Sequence, residues 1–165
     1  MSLKDSLIAE IEQESKNTKK MMERVPEDKF DWQPHVKSMT VKALASHIAT
    51  LSGMAGFVVK SDYLDFKEGK LKRPEINSKA DLIKAVEEST RETIDALKSA
   101  NDEDLNKSWV MRMGDYVILN APKSAAIRTM CLNHLYHHRA QLGVYLRLLD
   151  IPIPGMYGPS ADDRA

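Results

Sequence analysis

Cysteine is nearly missing from this 165-residue sequence. Cys131 stands alone, which excludes an internal disulfide and any multi-cysteine metal site. Glycine and proline number only seven each and aromatics make up 6%. With nine methionines, that scarcity leans towards helices rather than sheets. Neither sign of charge dominates, because 24 Lys and Arg balance 24 Asp and Glu. A net charge of zero gives no basic footprint for nucleic acid and rules out a charge-driven disordered chain. No stretch approaches the roughly 18 uncharged apolar residues of a membrane span. The opening MSLKDSLIAEIEQESK lacks a secretory apolar run. A cytoplasmic protein with no membrane or nucleic-acid partner is the expectation. The GxGxxG, phosphate-loop, CxxC, HExxH and ExxH patterns are also missing, which sets aside dinucleotide, zincin and carboxylate-bridged di-iron chemistry.

What is present is helical periodicity. Residues 3 to 24 carry Leu7, Ile11, Thr18, Met22 and Val25 on one stripe, with Lys and Glu opposite. Pro26 and the WQP at 32–34 end that helix. A second helix is predicted over 41–60, capped by Ser38 or Thr40, with Val41, Leu44, Ala45, Ile48, Leu51, Ala55 and Val58 recurring every three or four residues. Its Ala and Gly content predicts close helix packing. YLDFKEGKLKRPEIN reads as a charged, solvated loop. Ser78 with Asp81 resembles a capping box for a third helix running to about Ala100.

SWVMRMGDYVIL, residues 108–119, favours a hairpin turning at Gly114-Asp115. A fourth helix is predicted over 122–149, with an inner stripe of Ile127, Met130 or Cys131, His134, His138, Leu142, Tyr145 and Leu149. The expected fold class is all-α: one domain over 1–165, a four-helix bundle with a small β-hairpin between helices three and four.

The chemistry lies in the histidines. His134 and His138 are one turn apart, which sets their Cβ atoms about 6 Å from each other on one face. Two inward imidazoles are costly to desolvate without partners, and a shared metal ion resolves that cost. His47 lies beside Leu44, Ile48 and Leu51. It reads either as a hydrogen-bonded core histidine or as a third ligand. With it the set becomes a three-histidine site with open positions, as catalytic zinc or nickel sites have. Cys131 reads as a core residue or as a closing fourth ligand. His35 sits in a loop after Pro34, and His137 lies about 100° off the inward stripe. Arg139 and Gln141 also lie off it. Arg139 is expected to bind Asp162 or Asp163 of the tail, or a partner subunit, and Tyr157 to reach the site if the tail folds back.

FDWQPHVKSMTVKALASHIATL (30–51) and NHLYHHRAQLGVYLRLLDIPIPGMYGPSADD (133–163) resemble the DinB family of DinB/YfiT-like metalloenzymes. The first segment carries its W-x-P, Met-Thr and helix-two histidine; the second carries H-x-x-x-H-R-x-Q-L and the Pro-rich tail. The resemblance implies a four-helix bundle, frequently a homodimer, with one divalent ion, nickel or zinc, held by His47, His134 and His138. It further implies a metal-dependent enzyme acting on a small molecule, a thiol-dependent S-transferase or related hydrolase or isomerase using bacillithiol, mycothiol or glutathione. The alternative is a non-catalytic metal-binding stress-response module in which the histidines staple the helices.

Overall fold

The computed structural model describes residues 2–69, 71 and 73–164. Helix α1, Leu3–Met22, opens on a reciprocal capping box between Ser2 and Asp5. Thr40 caps α2, Val41–Lys60, by accepting from the Ala43 amide at 3.2 Å. Ser78 and Asp81 form the expected box at the start of α3, Lys79–Ser99. A further box, Asn101 with Asp104, starts the short α4, Asp102–Asn106. The last long rod is composite. It begins as α5, Lys123–Ala126, passes through a π-helical stretch, Ile127–Asn133, and continues as α6, His134–Leu148. The helical bundle expected from periodicity is present.

The hairpin is present too, as β2, Ser108–Met113, and β3, Tyr116–Pro122. Gly114 takes φ of 60° in its turn, a conformation that costs glycine little. The charged 60s loop does not stay a loop throughout. Its first residues form β1, Tyr63–Asp65, which pairs in parallel with β2 and makes a three-stranded sheet of order β1-β2-β3. Three residues are too few to show an alternating pattern. What docks them is one apolar and one charged side chain: Leu64 is buried, and Asp65 accepts from the amides of Lys67 (2.9 Å) and Gly114 (3.0 Å) while pairing with Arg112. Trp109 on β2 is fully buried and donates to Ser61 Oγ at 3.1 Å, which pins the sheet to the end of α2.

The core runs the length of the bundle. At one end Met22, Val41, Leu44, Leu82, Leu142 and Leu146 meet; at the other Leu7, Val58, Leu97, Leu105 and Ile127. Helix α2 is the central element. By length and composition alone it could cross a bilayer, yet over half of its most apolar window is buried against the other helices. Its small-residue face is taken by α3. A Cβ on Gly56 would fall 2.9 Å from Thr93 Cα, and Thr93 Oγ1 accepts from the Gly56 amide and donates to the Ser52 carbonyl. That face is therefore interior and is not free to receive a second subunit.

After α6, Asp150 at φ 56° turns the chain back along the bundle. Arg147 holds Asp162 through two contacts of 3.1 and 2.7 Å, and Asp163 accepts from the amides of Gly155 and Ser160.

Candidate metal centre

The π-helical stretch decides which side chains of the last rod face where. A regular helix would place Ile127, Cys131, His134, His138 and Leu142 on one stripe. The extra residue taken up by the wider turn shifts the buried stripe to Ile127, Cys131, Leu132, Leu135, Arg139, Leu142 and Leu146. His134 and His138 are thereby turned to the flank of the core stripe. They are half-buried and face α2, where His47 is likewise half-buried beside Leu44, Ile48 and Leu51.

The three imidazoles converge. His134 Nε2 lies 2.8 Å from His138 Nε2 and 3.4 Å from His47 Nε2, and one ligand nitrogen from each ring falls within 4.8 Å of the others. Outer hydrogen bonds hold the rings. His138 Nδ1 donates to Gln141 Oε1 at 2.8 Å, and His134 hydrogen-bonds the Met130 backbone. A neutral imidazole has one N–H, so with Nδ1 donating, His138 Nε2 presents a lone pair to the cluster, and three imidazole nitrogens at this separation can share one cation. The donor set therefore fits a divalent ion, and the outer hydrogen bonds are those that metal-ligating histidines use to hold their rings.

Electrostatics keep the rings neutral. Burial, then the charges His138, His134 and Arg73 would add, push His47 down to about 4. Burial also lowers His134 and His138 below the ordinary imidazole range. Neutral imidazole is the ligating form.

The other sequence candidates fall elsewhere. Cys131 is buried outside the cluster with its thiol near the Ala126 carbonyl, and burial raises its pKa far above the usual thiol range. His35 is exposed and accepts from the Lys37 amide. His137 is exposed and stacks edge-on to His138 without joining the cluster. Arg139 binds neither tail carboxylate. It is 2% exposed and donates to Glu14 Oε2 (2.5 Å), the Glu14 carbonyl, Thr18 Oγ1 and Tyr157 Oη. The tail carboxylate Asp162 goes to Arg147 instead. Tyr157 folds back, but its hydroxyl meets Arg139 and Glu14 and not the histidines. Gln141 is the functional residue that the stripe reading passed over. Its only sequence signal is its place three residues after His138, one turn along the same face.

The model of the DinB family matches residues 1–165. The chain belongs to the DinB family. Three solved structures of DinB-like proteins share its fold. One from Bacillus subtilis is 20% identical, with a TM-score of 0.71, over 92% of this chain and 97% of that one. One from Bacillus cereus is 22% identical, with a TM-score of 0.68, over 87% and 91%. One from Exiguobacterium sibiricum assigned to the DinB family is 17% identical, with a TM-score of 0.66, over 98% and 97%. No curated protein matches the sequence significantly. At these identities the neighbours speak for the helical DinB fold, and the site rests on this chain's own residues.

Proposed function

We propose that this DinB-family protein is a metal-dependent enzyme in which His47, His134 and His138 hold one divalent ion, zinc or nickel. The observation that carries the proposal is a cavity of about 270 Å³ that opens on His47 and His134. Structural zinc is ordinarily closed by four protein ligands, whereas catalytic zinc keeps three and an open position. Only three histidines join this cluster, and Cys131 stays out of it. The staple alternative lacks its fourth ligand among the described residues.

When bound, a divalent ion held by these residues would supply Lewis-acid activation of a water or thiol near neutral pH. The chain's residues supply the rest. Gln141 and the Met130 backbone orient the rings. Met54, Leu64, Phe66, Leu71, Met111 and Met130 wall the cavity, exclude water and offer an apolar body a place to bind. A low-molecular-weight thiol as cosubstrate, in an S-transferase type of reaction, is the reading that family likeness favours.

Elemental analysis of protein purified without chelator or affinity tag tests the metal. One equivalent of zinc or nickel is expected. His134→Ala and His138→Ala should lose most of it while keeping their helical circular dichroism, and His35→Ala and His137→Ala should retain it. Retention by all four variants would place the ion elsewhere. A homodimer is proposed as well, supported by the exposed Tyr116, Val117 and Ile118 of edge strand β3. Sedimentation that shows only an 18.6 kDa species at high concentration refutes that assembly.

A further inference from the structure

The cavity beside the histidines has an uneven lining. Its walls are α2, β1 and the turn after it, β2, and the π-helical stretch, and most of the side chains they contribute are apolar. Its few polar side chains are nearly all committed. Thr50 Oγ1 donates to the Ser46 carbonyl at 3.0 Å. Asp65 takes two backbone amides through Oδ1 and has Arg112 Nε 3.0 Å from Oδ2, so its charge is compensated. His47 and His134 belong to the metal corner. Arg73 remains. It lines the same cavity and is exposed, and among the described residues no carboxylate or acceptor engages it.

We infer that Arg73 is the anchor for an anionic head group, and that the cavity takes a small amphiphile with one carboxylate and an apolar body. This rests on the proposed reading of the histidine corner as the reacting end. The guanidinium presents a planar fork of N–H donors that matches a carboxylate bidentately. An apolar body then packs against Leu71, Met54 and Met111 in the cavity that His47 and His134 also line. A cationic ligand meets no uncompensated negative charge there, because the one lining carboxylate is already paired with Arg112. The volume, just under the usual range for ligand pockets, limits the guest to a short chain or a single ring. Arg73 is a specificity-determining residue in this account. It touches the head group and not the reacting atoms.

Octanoate and 1-octanol, equal in chain length and different in charge, are the probes. Each is titrated calorimetrically at pH 7.5 and low salt into the full chain, both metal-free and cobalt-loaded. The variants are Arg73→Gln, Arg73→Lys and His134→Ala. The metal-free native protein should bind octanoate about tenfold more tightly than octanol, a preference that charge-assisted pairing at a partly exposed rim supports. Arg73→Gln should erase the preference, leaving octanol affinity and the cobalt absorption spectrum unchanged. Arg73→Lys should keep part of it, since the charge stays but the fork is lost. Equal binding of the two probes, binding of neither, or a preference that survives Arg73→Gln overturns the inference. A preference seen only with cobalt bound, unaffected by Arg73→Gln and accompanied by a spectral change, also overturns it, because the carboxylate is then on the metal. Failure of the metal reading appears separately, as native protein without a cobalt spectrum, and leaves the metal-free titrations interpretable.

Discussion

Glu14 and Arg139 form a buried ion pair, 6% and 2% exposed, whose loss should be felt unequally from its two sides. Removing one partner of such a pair costs about 3–5 kcal/mol, because it strands the other charge out of water. In Glu14→Leu, Arg139 keeps the Glu14 carbonyl, Thr18 Oγ1 and Tyr157 Oη, so the cost falls near the lower end of that range. In Arg139→Met, the Glu14 carboxylate keeps, among the described residues, only the Tyr157 hydroxyl at 2.9 Å, which puts the cost near the upper end. Set against a total stability of about 5–15 kcal/mol, either loss is severe, and at about 2–4 °C per kcal/mol it lowers Tm by roughly 6–20 °C. The double variant replaces the pair by apolar side chains and should cost well below the sum of the singles. Urea unfolding followed by circular dichroism measures all three losses. Single-variant losses under about 1 kcal/mol, or a double variant equal to the sum, would refute the claim that this pair is electrostatically buried.

Other expectations follow from the same contacts. Gln141→Leu removes the acceptor of His138 Nδ1 and should weaken metal binding about 10–100-fold, the usual cost of an outer hydrogen bond; competition with a chromogenic chelator reads this, and an unchanged affinity means that Gln141 does not orient the ring. For metal-free protein, His47 has a folded pKa of about 4 against 6.5 unfolded, so the unfolded chain takes up its proton first and stability falls as pH drops through that window. The undiscounted difference is about 3 kcal/mol; because the ring is only half-buried, solvent screening brings it to roughly 1 kcal/mol, and a flat stability between pH 7 and pH 5 would count against it. Gly56→Ala forces a Cβ to 2.9 Å from Thr93 Cα and should cost about 1–3 kcal/mol by overpacking, measured by thermal denaturation; a neutral result would mean that α2 and α3 separate easily.

Much of this was legible in the sequence because it is periodic. The stripes through Leu7, Ile11 and Met22 and through Val41, Leu44 and Ile48 are buried as expected, and Thr40 and Ser78 cap the helices they precede. His47, His134 and His138 were reachable because one-turn spacing keeps the last two rings together whatever the winding before them, and because His47 sits beside an apolar stripe of α2. What was not legible depended on single contacts or single residues. Strand β1 rests on Leu64 and the Asp65 carboxylate, with no pattern to announce it. Arg139 reads as a surface residue until Glu14, 125 positions away, is brought to it by the fold. The exchange of Arg139 and Arg147 as partners of the tail carboxylates has the same origin. A regular-helix projection places Arg139 outside the bundle, whereas the wider turn before it rolls it in.

That wider turn also bears on how such a site could arise or be lost. The π-helical stretch Ile127–Asn133 holds one residue more than a regular helix would need to reach the same length. Deleting one codon within it would remove that extra residue and leave the downstream faces where they are, whereas winding the same residues at a uniform 3.6 per turn would rotate everything downstream by about 100° relative to Ile127. His134 and His138 would leave α2 together, while their spacing from each other and the composition of the chain stayed almost untouched. The lineage of this pocket can therefore be read in the winding of one segment as well as in its histidines: two relatives can both keep H-x-x-x-H and still differ in whether those rings meet His47.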